Sequence, residues 1–123
     1  GVAAGILAAG LAALEREYGV AAWTVAAWWG PAIGPCCFAV GEEVVTAIGR
    51  TTAGPCGAWA LRDGGGLRVD LRAALTAQAQ AVGVPETGIL SSTACTACDA
   101  TFHSYRRARG GGGRMLAYAG RPR

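Results

Sequence analysis

The sequence predicts a mixed fold of the α/β or α+β class. Segments with helical spacing of apolar residues alternate with short segments of β-prone residues, and glycine- and proline-rich breaks separate them. The 123 residues are 52% hydrophobic and 15% charged, which indicates one folded domain and excludes a disordered segment. The strands are too few to complete a sheet covered on both faces. We therefore expect an incomplete portion of a larger domain.

The first half of the chain is predicted to contain two helices and a strand. Residues 2–18 form the first helix, because large side chains recur on one face at spacings of four, three and four residues. Gly19 is placed to end it in the left-handed conformation. Residues 20–29 are predicted to form a strand covered on both faces. The Gly-Pro pairs within residues 30–35 predict a loop, and residues 38–48 are predicted to form a short helix. The face of the first helix consists of Leu7, Leu11, Leu14 and Tyr18.

The second half is predicted to place short strands and loops around one helix. Residues 50–66 carry many glycines and predict a loop that leads to a short strand at Leu67 and Val69. Asp70 is a favourable N-cap for a helix over residues 71–82. The remaining predicted elements are a strand over 87–92, a loop over 95–98, and strands over 102–107 and 114–118 joined by a flexible glycine run over 110–113.

An uncharged stretch over residues 18–41 raises the question of a membrane span. Crossing a bilayer takes about 20 continuous apolar residues, and the pairs Gly30-Pro31 and Gly34-Pro35 interrupt this stretch. We therefore expect no membrane span. The sequence also carries no pattern typical of a secretion signal, so we expect a cytoplasmic protein.

The cysteines suggest a zinc site, but their spacing argues against it. The pair Cys95-x-x-Cys98, with the adjacent pair Cys36-Cys37 or with His103, offers zinc ligands. A second pair at zinc-finger spacing is missing, and adjacent cysteines rarely both bind one ion. We therefore expect no metal bound wholly by this chain. All five cysteines, including Cys56, are expected to be reduced, free thiols that pack as small apolar groups.

Arginines cluster late in the chain, where no acidic residue follows Asp99. Nucleic-acid binding is one interpretation, but no interleaved aromatic platform accompanies the cluster, and a solvated basic edge is the plainer alternative. A small anion fits better, because arginine binds phosphate or carboxylate through a bidentate fork. We expect no nucleic-acid partner, and we expect the lone His103 to be structural. The cluster comprises Arg106, Arg107, Arg109 and Arg114.

Two long motifs are specific enough to compare with known families. The first is Trp29-Gly30-Pro31-Ala32-Ile33-Gly34-Pro35-Cys36, followed by Phe38-x-Val40-Gly41-x-Glu43-Val44, and the second is Phe102-His103-Ser104-Tyr105-Arg106-Arg107. Shorter matches lie at Val69-Asp70-Leu71, Cys95-Thr96 and Gly113-Arg114-Met115. In order and spacing, these motifs resemble the YfiH-like family, which is labelled both multicopper polyphenol oxidase (laccase) and purine nucleoside phosphorylase.

The resemblance implies a mixed-sheet α/β sandwich. Residues 1–119 would be the C-terminal portion of a single domain of this type, and residues 120–123 a frayed tail. In the family, a His-Cys-His set that holds zinc lies upstream of these motifs, so the missing N-terminal half would be a partner of this chain. No catalytic and no metal-binding residue is then assigned here, and Cys36 and Cys95 match family positions that are not those ligands.

The resemblance also implies an enzyme that cleaves the glycosidic bond of adenosine, inosine or guanosine with phosphate, with adenosine deamination as a second activity. Its partners would be a purine nucleoside and phosphate, and a homo-oligomer is compatible with the sequence. The pocket candidates are Ser104, Tyr105, Arg106 and Arg107. In a strand, Ser104 and Arg106 would face one way and Tyr105 and Arg107 the other.

Two other functions stay open. One is a truncated, non-catalytic structural or interaction module. The other is a copper-dependent polyphenol oxidase, for which His103 alone supplies too few histidine ligands. With its metal ligands elsewhere, the chain is expected to be inactive by itself.

Overall fold

The structure is a computed structural model that describes residues 1–120. The chain opens with a 3₁₀ turn, Val2–Ala4, and continues as helix α1, Ile6–Tyr18. Gly5 separates the two at φ 68°, and Gly19 ends α1 at φ 67°, both in the left-handed region that glycine adopts without strain. The predicted first helix and its glycine end are confirmed, with a break at Gly5.

A two-stranded parallel sheet joins the two halves of the chain. Strand β1, Ala27–Trp29, pairs with the last strand, β4, Ile89–Ser91, with Trp29 opposite Ser91. Both strands are shorter than the predicted strands over 20–29 and 87–92, because 3₁₀ turns occupy Ala22–Thr24 and Glu86–Gly88. A strand persists only where a partner completes its hydrogen bonds, and here each strand offers the other three residues.

An antiparallel hairpin forms the second sheet. Strand β2, Ala60–Asp63, pairs with strand β3, Gly66–Val69. The prediction of a loop over 50–66 therefore missed β2. The glycines between the strands are a tight turn rather than a flexible connection, since the carboxylate of Asp63 accepts a hydrogen bond from the backbone N–H of Gly65 at 2.8 Å.

Helices α2, Glu42–Gly49, and α3, Leu71–Ala81, complete the regular structure. The predicted helix over 38–48 begins four residues late, because residues 38–40 lie along β3 and exchange backbone hydrogen bonds with it. The predicted cap of α3 is confirmed: the carboxylate of Asp70 accepts from the backbone N–H groups of the second and third residues that follow it, at 3.0 and 3.1 Å.

The two strands predicted over 102–107 and 114–118 do not form. Residues 99–110 make a series of turns, and residues 111–120 have no regular secondary structure. The cause is local: the side chain of Arg107 binds backbone carbonyls before it in the sequence, which folds the segment onto itself. Of the tail predicted over 120–123, residues 121–123 lie outside the described residues.

The buried core is small and lies between α2, the hairpin and α3. Its buried members are Ile48, Trp59, Val69 and Ala74. The accessible surface is 8088 Å², whereas a compact monomer of 12.4 kDa exposes about 6,100 Å². Large apolar side chains on α1 and β1 account for part of this excess, because Ile6 and Trp28 are 61% and 64% exposed.

The observed class is mixed α/β, as predicted. Among residues 1–120, none of the helices combines the length and the apolar character that crossing a membrane requires.

Candidate functional site

Two loops leave the same edge of the parallel sheet and run side by side. The backbone N–H of Ser92 donates to the carbonyl of Trp29 at 2.8 Å, and that of Thr96 donates to the carbonyl of Ala32 at 3.1 Å. An isolated parallel bridge pairs Ala32 with Cys95. The loop after β1 is thereby held against the loop after β4, at the carboxyl ends of parallel strands where α/β folds commonly bind ligands.

Each loop makes a tight turn that presents cysteines. The carbonyl of Gly34 accepts from the backbone N–H groups of Cys37 and Phe38, and the carbonyl of Cys95 accepts from those of Cys98 and Asp99, all at 3.0–3.2 Å. The two turns face each other across the sheet edge. Two pairs of cysteines that are distant from each other in the sequence therefore meet at one point.

The four thiols, called here the cysteine cluster, are those of Cys36, Cys37, Cys95 and Cys98. Their Sγ atoms all lie within 4.8 Å of one another. The Sγ of Cys98 lies 3.4 Å from that of Cys37 and 3.6 Å from that of Cys36. The fifth cysteine, Cys56, is exposed and lies outside the cluster.

This geometry corrects the sequence analysis in two respects. The cysteines were expected to be buried apolar groups, yet Cys36, Cys56 and Cys98 are exposed and the other two are half-buried. The spacing of the cysteines along the chain does not exclude a metal site, because parallel pairing of β1 and β4 brings the two pairs together. The structure describes all five cysteines of residues 1–120 as free thiols.

The thiols differ in acidity. Burial raises the pKa of the Cys95 thiol, but backbone N–H donors of Gly34, Cys98 and Ala97 outweigh burial and lower that pKa to about 6. Hydrogen bonding to Cys95 and Cys98 raises the pKa of Cys36 above its usual value of 9.0. Cys95 is therefore a more acidic thiol than Cys36.

A cleft of about 410 Å³ is lined by residues of both loops and of the turns that follow the second loop. Three of the four predicted pocket residues line it: Ser104, Tyr105 and Arg106. Ser104 is buried and Tyr105 is 69% exposed. The predicted alternation of faces is wrong, because residues 102–107 form turns instead of a strand.

Arg107 does not line this cleft. Its Nη1 atom donates to the carbonyl oxygens of Thr96, Ala97 and Asp99 at 2.6, 3.2 and 3.0 Å, and its Nη2 atom donates to that of Phe102. A guanidinium that binds four carbonyls holds the turns together, so the structure places Arg107 in a structural position.

Arg106 is placed differently. Its Nη1 atom donates to the carbonyl of Ala39 at 3.1 Å, and its guanidinium carbon lies 5.4 Å from the centre of the Phe38 ring, within cation–π range. A guanidinium has five N–H donors, so this geometry leaves donors for an anion in the cleft. Of the two arginines in the motif, Arg106 is the one that lines the cleft.

His103, which we expect to be structural, is exposed and lines the cleft. Its imidazole packs closely on Gly113, where an added Cβ would lie 2.7 Å from the ring. The sequence feature that indicates a place for His103 at the cleft is its position inside the motif from Phe102 to Arg107.

A second, largely apolar cleft of about 630 Å³ adjoins the first and shares Pro31 and Met115 with it. Aromatic side chains supply part of its wall: Trp28, Phe102 and Tyr118. The two clefts together offer a cationic end and an aromatic end.

Comparison with known proteins identifies the family. Residues 1–121 match the family described as multi-copper polyphenol oxidoreductase laccase. The purine nucleoside phosphorylase YlmD of Geobacillus stearothermophilus is 45% identical over 95 residues, which are 75% of this chain and 34% of that protein.

Solved structures agree with this match. The crystal structure of YlmD from Geobacillus stearothermophilus is similar with a TM-score of 0.82 at 33% identity, and that of the Bacillus licheniformis hypothetical protein YfiH with a TM-score of 0.82 at 31% identity. Each match covers 89% of this chain and 42% of the other. The chain thus spans about a third of the length of the curated relative. It belongs to the multi-copper polyphenol oxidoreductase laccase family, with YlmD and YfiH among its relatives.

Proposed function

We propose that residues 1–119 are the C-terminal portion of an enzyme that cleaves purine nucleosides with phosphate. Adenosine, inosine and guanosine are the substrates, and adenosine deamination is a second reaction of the same enzyme. The observation that carries the proposal is the joined cleft, cationic at Arg106 and aromatic at Trp28, in a chain 45% identical to a protein named a purine nucleoside phosphorylase.

The two ends of the cleft suit the two substrates. Phosphate carries about two negative charges and several strong acceptor oxygens. The guanidinium of an arginine can donate several hydrogen bonds to these oxygens at once. A purine base is flat and aromatic, and it stacks on side chains such as Trp28, Phe102 and Tyr118. Phosphate oxygen attacks the anomeric carbon of the ribose, and the base leaves with the bond electrons and takes up a proton.

In this proposal the chain's own residues bind and orient, and none is assigned as catalytic. Arg106 holds the phosphate, and Arg107 fixes the turns that carry it. The zinc ion that the resemblance implies would supply Lewis-acid chemistry from ligands outside this chain. Residues that cover the exposed apolar side of α1 would come from the same missing portion.

The copper chemistry in the family description fits this chain poorly. Multicopper centres take several histidine ligands, and the chain has one histidine, His103. We therefore place no copper-dependent step in this cleft.

The test is release of free base from inosine by the full-length protein, with and without phosphate. Arg106→Ala is expected to lower kcat/KM for phosphate by about 30- to 150-fold, equivalent to about 2–3 kcal/mol of transition-state stabilisation. The matched control is Arg50→Ala, which removes the same charge from an exposed position at the end of α2.

Three outcomes contradict the proposal. If neither Arg106→Ala nor Arg107→Ala lowers phosphorolysis, the assignment of the site is wrong. If the folded full-length protein releases no base from any of the three nucleosides, a non-catalytic module is the better function. Oxygen-dependent oxidation of a phenol, without phosphorolysis, would favour the polyphenol oxidase instead.

A further inference from the structure

We propose that Cys36, Cys37, Cys95 and Cys98 together bind one zinc ion, and that this ion clamps the loop after β1 to the loop after β4. The proposal concerns a structural centre. It does not depend on the proposed function, because it rests only on the position of the four thiols.

The sulfur spacing matches a tetrahedral tetrathiolate. With zinc–sulfur bonds of about 2.3 Å, the sulfur atoms of a regular tetrahedron lie about 3.8 Å apart. Here the Sγ of Cys98 lies 3.4 Å from that of Cys37 and 3.6 Å from that of Cys36, and no pair among the four exceeds 4.8 Å. Movements of a few tenths of an ångström bring the four atoms to the geometry that zinc requires.

The adjacency of Cys36 and Cys37 is overcome by the turn on which they lie. The carbonyl of Gly34 accepts hydrogen bonds from the backbone N–H groups of both Cys37 and Phe38. This curvature directs two neighbouring sulfur atoms to the same side. The second turn is closed in the same way by the carbonyl of Cys95, so the two pairs are presented by similar backbone geometry.

The surroundings of the cluster suit a negatively charged centre. Four thiolates with one divalent ion carry a net charge of about −2, and N–H donors to sulfur stabilise such centres. The backbone N–H of Gly34 donates to the Sγ of Cys95 at 3.2 Å. The guanidinium of Arg72 lies close by, with its Nη2 atom 3.5 Å from the place where a Cβ on Gly34 would be.

The donor chemistry favours zinc over other common ions. Sulfur-only sites exclude calcium and magnesium, which take oxygen ligands. Four thiolates in tetrahedral array are typical of structural zinc, and each thiol that binds gives up its proton to solvent. Copper(I) also binds thiolates, so the experiment must identify the ion.

The clamp would act on the cleft through the two arginines. Arg106 contacts the first loop at Phe38 and Ala39. Arg107 donates hydrogen bonds to the second loop at Thr96 and Ala97. The ion would fix the separation of those two supports. Its loss is expected to loosen the turns that carry both arginines.

The experiment measures metal content in the full-length protein purified under reducing conditions. Zinc is quantified by elemental analysis in the wild type, in the double variant Cys37→Ser/Cys98→Ser and in the control Cys56→Ser, which changes a thiol outside the cluster. We expect the double variant to contain one zinc fewer per chain than the control. Because a difference is measured, zinc bound elsewhere in the protein does not affect the result.

A second measurement identifies the ligands. Cobalt(II) in place of zinc is expected to give visible bands of tetrahedral intensity and a thiolate-to-cobalt charge-transfer band. Cys98→His should keep the ion, because imidazole also binds zinc, and should lower the charge-transfer intensity by about a quarter as one thiolate of four is replaced. This variant keeps the test decisive if the double variant does not fold.

The proposal is overturned if the double variant and the control hold equal zinc, or if Cys98→His leaves the cobalt charge-transfer band unchanged. If the cluster holds copper and no zinc, the proposal that the ion is zinc is wrong. If the wild-type protein has the mass of the reduced chain less two hydrogens and binds no metal, the cluster forms a disulfide and the proposal is overturned. Failure of nucleoside cleavage affects none of these measurements.

Discussion

Replacing Arg107 with alanine is expected to cost stability rather than phosphate binding. The guanidinium donates to four backbone carbonyls, and the bond to Thr96, at 2.6 Å, is partly buried. A hydrogen bond to a charged group contributes about 1.5–3 kcal/mol. The exposed carbonyls regain water when the side chain is removed, so the partly buried bond dominates. We expect a loss of about 2–3 kcal/mol in the free energy of unfolding.

Calorimetry of the full-length protein measures this loss. For a protein as long as the curated relative, of which the match covers 34%, each kcal/mol lowers Tm by about 2 °C, so the expected decrease is roughly 4–6 °C. Arg106→Ala is the comparison: it removes one exposed hydrogen bond and a cation–π contact, which together contribute no more than about 1 kcal/mol. Arg107→Lys should not restore Tm, because an ammonium cannot span the same carbonyls as the planar fork.

The result that refutes this reasoning is the reverse pattern. If Arg107→Ala has the same Tm as the wild type while phosphorolysis falls, then Arg107 binds substrate, and its hydrogen bonds to Thr96 and Ala97 contribute little to stability. If both arginine variants lower Tm equally, the difference in their hydrogen bonding does not determine stability.

Two further predictions concern charge and exposed apolar surface. Hydrogen bonds from Thr101 are the main cause that lowers the pKa of Asp99 below 3.8. Thr101→Val should therefore raise that pKa toward 3.8, as measured by a carbon-13 titration of the carboxyl group. The contribution of the ionised Asp99 to folding stability is fully present above pH 3.8 and disappears as the pH falls through the lowered pKa. The 123-residue chain alone is expected to associate, because Ile6 and Leu14 border an apolar groove. Replacing both with glutamine should yield more monomer in size-exclusion chromatography than Leu61→Gln on the hairpin, and a monodisperse wild-type monomer with a cooperative melt would contradict this.

Local signals in the sequence predicted the elements that depend on local chemistry. Helix α1, the left-handed Gly19 and the N-cap Asp70 each follow from neighbours within four residues, and the structure confirms all three. Strand β2 was missed because it forms only through pairing with β3. The helix predicted from residue 38 begins at Glu42 for the same reason, since β3 takes the preceding residues as a partner.

The candidate site was predicted in part. Motif resemblance selected Ser104, Tyr105 and Arg106, which do line a common cleft. Nothing in the spacing distinguishes Arg106 from Arg107, because their different roles depend on which backbone carbonyls lie within reach after folding. Ligand spacing along the chain does not reveal the cysteine cluster, because its members meet across two loops at sequence separations of 61 and 62 residues.

The parallel pairing of β1 and β4 explains why these features occur together. It lays the loop after Trp29 along the loop after Ser91, with further backbone hydrogen bonds past the ends of both strands. The joined loops bring the four thiols together, and they also support the turns that carry Arg106 and Arg107. A sheet of two three-residue strands is weak by itself, so contacts beyond it must hold the two loops in register. The hydrogen bonds of Arg107 contribute to this, and the proposed ligation of zinc by the four thiols would contribute as well.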